Sequence, residues 1–199
     1  TTSLDGDANH VTIAAYNVEN LDPTDPQAKF DRLGQDIAQN LGGPDIIGLE
    51  EIQDADGAGT GGDLSGQATA DKLIAAIKAA GGPTYVYVEV IPTGPVGGEG
   101  GGNIRQGYLY NPERVQYVAG SAYLLNDNDP ANGDAYANSR KPLVAEFTFN
   151  GETITVVDVH NTSRIGSEEL FGDHQPPDNA GDARRIDQTA PIKDLVEDM

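Results

Sequence analysis

Apolar positions along the chain follow two different periods. Val11 to Asn17 reads VTIAAYN, short and β-rich, which predicts a buried first strand. After Pro23 and Pro26 the spacing becomes helical. Phe30, Leu33 and Ile37 recur on one stripe of a helix over Lys29 to Asn40, and Gly42-Gly43-Pro44 ends it. Asp45 to Leu49 predicts a compact second strand, and a glycine-rich loop runs from Asp54 to Gly66. Gln67 to Ala80 predicts a second helix with Leu73, Ile74 and Ile77 inward, stopped by Gly81-Gly82-Pro83.

From Tyr85 onward the period is that of strands. Tyr85 to Ile91 is one, and Gln106 to Tyr110 with Val115 to Val118 reads as a pair joined at Asn111-Pro112. Leu143 to Phe149 and Thr153 to His160 predict a hairpin around Asn150-Gly151, a pair suited to a type I′ turn. The stretches Gly94 to Gly102 and Asn126 to Asn138 hold too much Gly, Asp and Asn to join a core. A last helix is expected from about Gly181, carrying Ile186, Leu195 and Val196, with Pro191 kinking or restarting it. The order β-α-β-α followed by strands predicts a layered α/β sandwich with a mixed sheet, in one domain.

Composition narrows the function. With 12 Lys+Arg against 32 Asp+Glu the formal charge is −20. That argues against a protein that coats nucleic-acid phosphates with Lys and Arg. It leaves room for an enzyme that meets phosphate through divalent cations. The absence of Cys excludes disulfides, a thiol nucleophile and thiolate metal sites, so any metal must be a hard, oxygen-ligated one. No apolar run approaches the roughly 18 residues of a membrane span, so membrane insertion is not expected. The chain opens on Thr1 with no leader-like segment before the first strand, which suggests an excised or processed piece whose targeting segment lies outside it.

Three polar residues stand at the C-terminal ends of apolar strands, where open α/β sheets place ligands: Asn17, Glu51 and His160. An acid and an amide at neighbouring strand ends suit Mg²⁺, which takes only one or two carboxylates. A nearby His could orient or protonate groups on a phosphate. Strict strand alternation lets only one of Glu50 and Glu51 face such a site, and Glu50 is assigned to solvent. His10 and His174 read as exposed, and the alternation of its strand allows Tyr110 a place in the core. The string Asn126-Asp127-Asn128-Asp129 with Asn132 and Asp134 lacks the closing Glu of a twelve-residue calcium loop, so it reads as a solvated loop.

The segments IAAYNVEN, PDIIGLEEIQD, YLYNPERV, SRKPLVAEF and VVDVHNTSR occur in that order across Ile13 to Arg164. Together they resemble the endonuclease/exonuclease/phosphatase superfamily with its DNase I-like fold. The wording is nearest to extracellular bacterial nucleases, through Leu170-Phe171-Gly172 and Gln175-Pro176-Pro177 after the His strand and Asp182 to Arg185 beyond. The resemblance implies a four-layered α/β/β/α sandwich and hydrolysis of a phosphodiester, in nucleic acid or another substrate, by a secreted enzyme using Mg²⁺, with Mn²⁺ or Ca²⁺ as alternatives. Within it Glu51 is the metal-ligating Glu of L-Q-E, with Glu50 in place of the Gln. Asn17 hydrogen-bonds the scissile phosphate or a metal-bound water, and His160 hydrogen-bonds the scissile phosphate and helps protonate the leaving group. In the same resemblance Arg140 contacts phosphate, and Tyr110 matches an active-site-side tyrosine.

The pattern also departs from that family. Ile104 precedes Arg105 and Val159 precedes His160, so no carboxylate partner for His160 is named. The family's G-D-x-N and S-D-H motifs are missing after the last helix. The expectation is therefore the N-terminal two thirds of one domain over residues 1–199, sandwich incomplete and inactive by itself. Two other functions stay open: a phosphatase or phospholipid/inositol-phosphate hydrolase of the same fold, or a non-catalytic module of a large secreted protein.

Overall fold

The computed structural model describes residues 6–57, 59, 62–93, 104–127, 131 and 133–199. Its elements are β1 (Ile13–Leu21), α1 (Gln27–Gln35, continued by a π-helical turn over Asp36–Asn40), β2 (Ile46–Ile52), α2 (Gln67–Ala79), β3 (Val86–Val88), β4 (Arg105–Tyr110), β5 (Gln116–Tyr117), β6 (Tyr123–Leu124), β7 (Leu143–Phe149), β8 (Glu152–Asp158) and α3 (Asp182–Asp198). One sheet has the order β1-β2-β4-β3, with β1 and β2 parallel and the remaining pairs antiparallel. In the other, β7 pairs antiparallel with β8 and with both β5 and β6.

Two cores follow from strand alternation. Ile47, Leu49 and Ile52 of β2 and Leu109 of β4 pack with Phe30, Leu33, Leu73 and Ile77 of α1 and α2. Ile46 and Tyr108 point the opposite way, into a second core with Leu143, Ala145 and Phe147 of β7. The Tyr108 hydroxyl crosses between the sheets to donate to Leu143 O at 2.7 Å and Val156 O at 3.0 Å. Helices, first sheet and second sheet thus form successive layers. Helix α3 is tied on by Gln188, which is fully buried: its amide accepts from Thr162 N–H at 2.9 Å and donates to Ala135 O at 3.1 Å.

Several expectations change. The stretches Gln106 to Tyr110 and Val115 to Val118 are not a hairpin, since β4 belongs to the first sheet and β5 to the second. The turn at Asn111 is bound to the first sheet, Asn111 N–H donating to Asp45 O at 2.9 Å, and the chain leaves it there for the other layer. Only Val86–Val88 of Tyr85 to Ile91 pairs as strand, and β6 was not anticipated. Pro191 does not interrupt α3; it is buried within the helix. The Asn150-Gly151 hairpin is found, with Phe149 opposite Glu152 and positive φ at both turn residues (54° and 84°). The loop Gly94 to Gly102 lies outside the described residues, as do Asn128, Asp129 and Asn132.

Candidate active site

A bulge shapes the site end of the first sheet. Along β2 the side chains alternate regularly up to Leu49, which faces the helices, and Gly48, which faces the second sheet. A regular strand would then point Glu51 at the helices. Instead Leu49 pairs with Gly107 and Ile52 with Arg105, so Glu50 and Glu51 together stand opposite Gln106. The extra residue is taken up at Glu51, whose φ is 63°, and Ile52 re-enters the helix-side core in its place. β1 bulges alongside: Asn17 pairs with Glu50 and Leu21 with Ile52, while Glu19 and Asn20 have positive φ (57° and 54°). Strand β1 therefore does not end at Asn17, as its sequence implies, but bends there and runs on to Leu21.

The bulge also corrects Glu50. It is half-buried, not a solvated neighbour, and the Asn17 side chain hydrogen-bonds its carboxylate. Burial and the adjacent Glu51 raise its pKa, against the opposing pull of Asn17 and Arg140. Asn17 is itself fixed, its Oδ1 accepting from Glu19 N–H at 2.8 Å, so its amide serves Glu50. Glu51 Oε2 accepts from Asn20 N–H at 3.2 Å, and Glu51 Oε1 lies 3.5 Å from His160 Nε2.

His160 sits two residues past the end of β8. Its Nδ1 is buried without a hydrogen-bond partner among the described residues. Burial, then the Arg140 guanidinium, lower its pKa, while Glu51 raises it in part. Arg140 donates to Asn161 O at 3.3 Å, next in sequence to His160. Its charge is felt by both Glu50 and His160. Asn17, Glu51, His160 and Arg140, far apart in the chain, are thus brought to one end of the paired sheets.

Asp158 escaped sequence reasoning. It is 5 % exposed, and Oδ2 has no hydrogen-bond partner among the described residues. Its carboxyl lies over Gly48, where a Cβ would meet Asp158 Cγ at 2.8 Å, so only glycine allows this approach. Burial, then the Glu50 charge, push its pKa up to about 8, so it is largely protonated at neutral pH. A usable signal exists in the sequence: Asp158 shares strand parity with the inward-packed Val156.

Other polar clusters have different positions. Arg105 is buried and paired with Asp54 at 3.3 Å and Glu89 at 3.0 Å, and it also donates to Leu64 O, anchoring the glycine-rich loop. Tyr110 packs with Tyr117 and Phe147 in the core between the sheets, paired with Ile46 at the end remote from Glu51. His10 and His174 are exposed. His174 Nδ1 is 2.6 Å from Glu168 Oε2, and Asp178 completes an exposed group of three metal-capable side chains on the loop before α3.

No family model matches the chain, and no curated protein does either. Solved structures do. The chain is similar to a humanized D. rerio TDP2 carrying 14 mutations, at 16 % identity and a TM-score of 0.50, over 94 % of this chain and 58 % of that one. It is similar to a functionally unknown conserved protein from Enterococcus faecalis V583, at 15 % identity and a TM-score of 0.51, over 94 % and 61 %. It is also similar to an endonuclease/exonuclease/phosphatase family protein from Leptotrichia buccalis C-1013-b, at 13 % identity and a TM-score of 0.51, over 96 % and 62 %. The chain spans about three fifths of the length of each. With helices, a mixed sheet and a second sheet in successive layers, the chain has the DNase I-like fold that these structures share.

Proposed function

We propose that this chain belongs to a secreted hydrolase that cleaves phosphodiester bonds in nucleic acid with the help of a divalent cation, Mg²⁺ being the first choice. The observation that carries the reading is the convergence of Glu51, His160, Asn17 and Arg140 at one end of the sheets. The donor set suits a hard cation: carboxylate oxygens from Glu51 and its neighbour, backed by a buried carboxyl oxygen on Asp158 with no hydrogen-bond partner among the described residues. Glu51 would hold the ion. Such an ion, once bound, neutralises charge on the phosphate and polarises the phosphorus–oxygen bonds.

The remaining groups have separate tasks. Arg140 supplies a fixed positive charge to the phosphate oxygens, strongest in the transition state, where that charge grows. Burial lowers the pKa of His160, so its neutral ring donates a hydrogen bond to a phosphate oxygen, and only the protonated ring would pass a proton to the leaving oxygen. Glu51 beside Nε2 fixes the ring's orientation. Asn17 braces Glu50 in this arrangement, and its phosphate contact would require that amide to turn.

The test is nicking of supercoiled plasmid by the longest natural form of the protein with Mg²⁺, with and without EDTA. Activity should vanish with EDTA. Glu51→Gln should lower it on the order of 10²- to 10³-fold without loss of folded protein. Activity within a few-fold of wild type would reject Glu51 as the metal ligand. The formal charge of −20 favours a second reading, a phosphatase or lipid-phosphodiester hydrolase, because a small or metal-presented phosphate avoids the repulsion that long duplex DNA meets. Release of phosphate or phosphocholine in place of nicking would select it.

A further inference from the structure

We infer that Glu50 is a second cation ligand, so that the site holds its divalent ion between two adjacent carboxylates; this rests on the proposed function and adds to it a ligand that the L-Q-E resemblance does not supply. The first argument is geometric. Leu49 and Ile52 both face the helices, and the bulge between them keeps Glu50 and Glu51 away from that core at the same sheet end. Half-burial leaves Glu50 reachable from solvent, and Asn17 holds its carboxylate from one side.

The second argument concerns charge. A glutamine at this position would satisfy the Asn17 amide equally well and would spare the site a negative charge beside Glu51. Glutamate introduces like-charge repulsion in a half-buried place, a cost that a divalent ion between the carboxylates removes. The Arg140 charge acts on Glu50, and one positive charge does not balance two carboxylates. Asp158 supplies an independent observation. Its carboxyl is more than nine-tenths buried, lies over Gly48 on the face of β2 that Glu50 shares, and keeps Oδ2 without a hydrogen-bond partner among the described residues. A buried oxygen left in that state, next to Glu50, suits a neighbouring cation or its water shell.

Mn²⁺ binding by titration calorimetry, on the wild type, Glu50→Gln and Glu51→Gln, tests this without reference to turnover. Melting of each protein in EDTA accompanies it, because both variants must be folded for the comparison to count. Glu50→Gln should melt no lower than wild type in EDTA, since repulsion is relieved. It should bind Mn²⁺ ten- to a hundredfold more weakly and lose most of the Mn²⁺-induced rise in melting temperature. Glu51→Gln should lose binding at least as severely. Binding by Glu50→Gln within twofold of wild type, with Glu51→Gln impaired, would overturn Glu50 as a ligand and leave the proposed function standing. Wild-type protein that binds no Mn²⁺, or binds it equally well after Glu51→Gln, would overturn both.

Discussion

Strand β2 has a carboxylate group at each end, and the two ends are built on opposite principles. Asp45, just before the strand, is 3 % exposed and fully partnered: Thr12 donates through its N–H at 2.8 Å and its hydroxyl at 3.1 Å, and Arg114 donates from Nε at 2.8 Å and Nη2 at 3.3 Å. At the other end Glu50, Glu51 and Asp158 crowd together around Asn17, Asn20, His160 and Arg140, and Asn20 Oδ1, Asp158 Oδ2 and His160 Nδ1 have no hydrogen-bond partner among the described residues. One strand, with the same apolar residues between, thus holds a closed ion pair at one end and an open acidic group at the other. Charge alone does not distinguish a structural carboxylate from a functional one; the supply of donors does.

The sharpest break between the two ends is expected in the pH dependence of stability. Asp158 has its pKa raised from an ordinary 3.8 to about 8, so between those values the folded protein binds a proton that the unfolded chain has released. Its stabilising contribution is complete below pH 4 and is lost as pH rises toward 8. At about 1.4 kcal/mol per pKa unit this amounts to several kcal/mol. Urea unfolding in EDTA should show Asp158→Asn close to wild type at pH 4 and clearly more stable at pH 8. Parallel wild-type and variant curves would mean that Asp158 ionises normally.

At the closed end the expectation has the opposite sign. Asp45→Asn removes the charge facing Arg114 and spoils the acceptor geometry for Thr12, at a cost of about 2–3 kcal/mol. The urea midpoint should fall while Mn²⁺ affinity of the folded protein stays unchanged. An altered affinity would show that the two ends are coupled through β2. The smallest effect is steric. Gly48→Ala places a methyl 2.8 Å from Asp158 Cγ and should cost about 1–2 kcal/mol, most of it recovered in the Asp158→Ala background. Additive losses in the double variant would show that the contact is not what requires glycine.

Much of the fold was legible because its elements repeat a local rule. Helix α2 was expected over Gln67 to Ala80 and spans Gln67–Ala79, with its apolar stripe inside the segment and its glycine stop directly after it. The Asn150-Gly151 turn likewise carries its own instruction. The false β4–β5 hairpin shows the limit, since an Asn-Pro turn specifies reversal but not which sheet receives the returning strand. At the site, the residues at strand ends could be named, but Glu50 was misassigned because a bulge is a relation between two strands, and one strand's wording gives only alternation. A trace was nonetheless present: Leu49 and Ile52 are three apart, an interval that a regular two-residue period cannot bury on one side. Asp158 was hidden by its setting, an acid in an apolar strand whose burial depends on a glycine 110 residues earlier in the chain.

The bulge has a consequence for how this sheet end can change by insertion and deletion. Loss of either Glu50 or Glu51 would bring Leu49 and Ile52 to a spacing of two, level with Gly107 and Arg105, and the β2–β4 ladder would close up without a break. Elsewhere in a central strand a one-residue deletion turns every following side chain to the wrong face. Here it would leave the helix-side core in register and subtract one carboxylate. The acidic pair therefore occupies a position where the number of charges can be edited through chain length, separately from the fold that carries them.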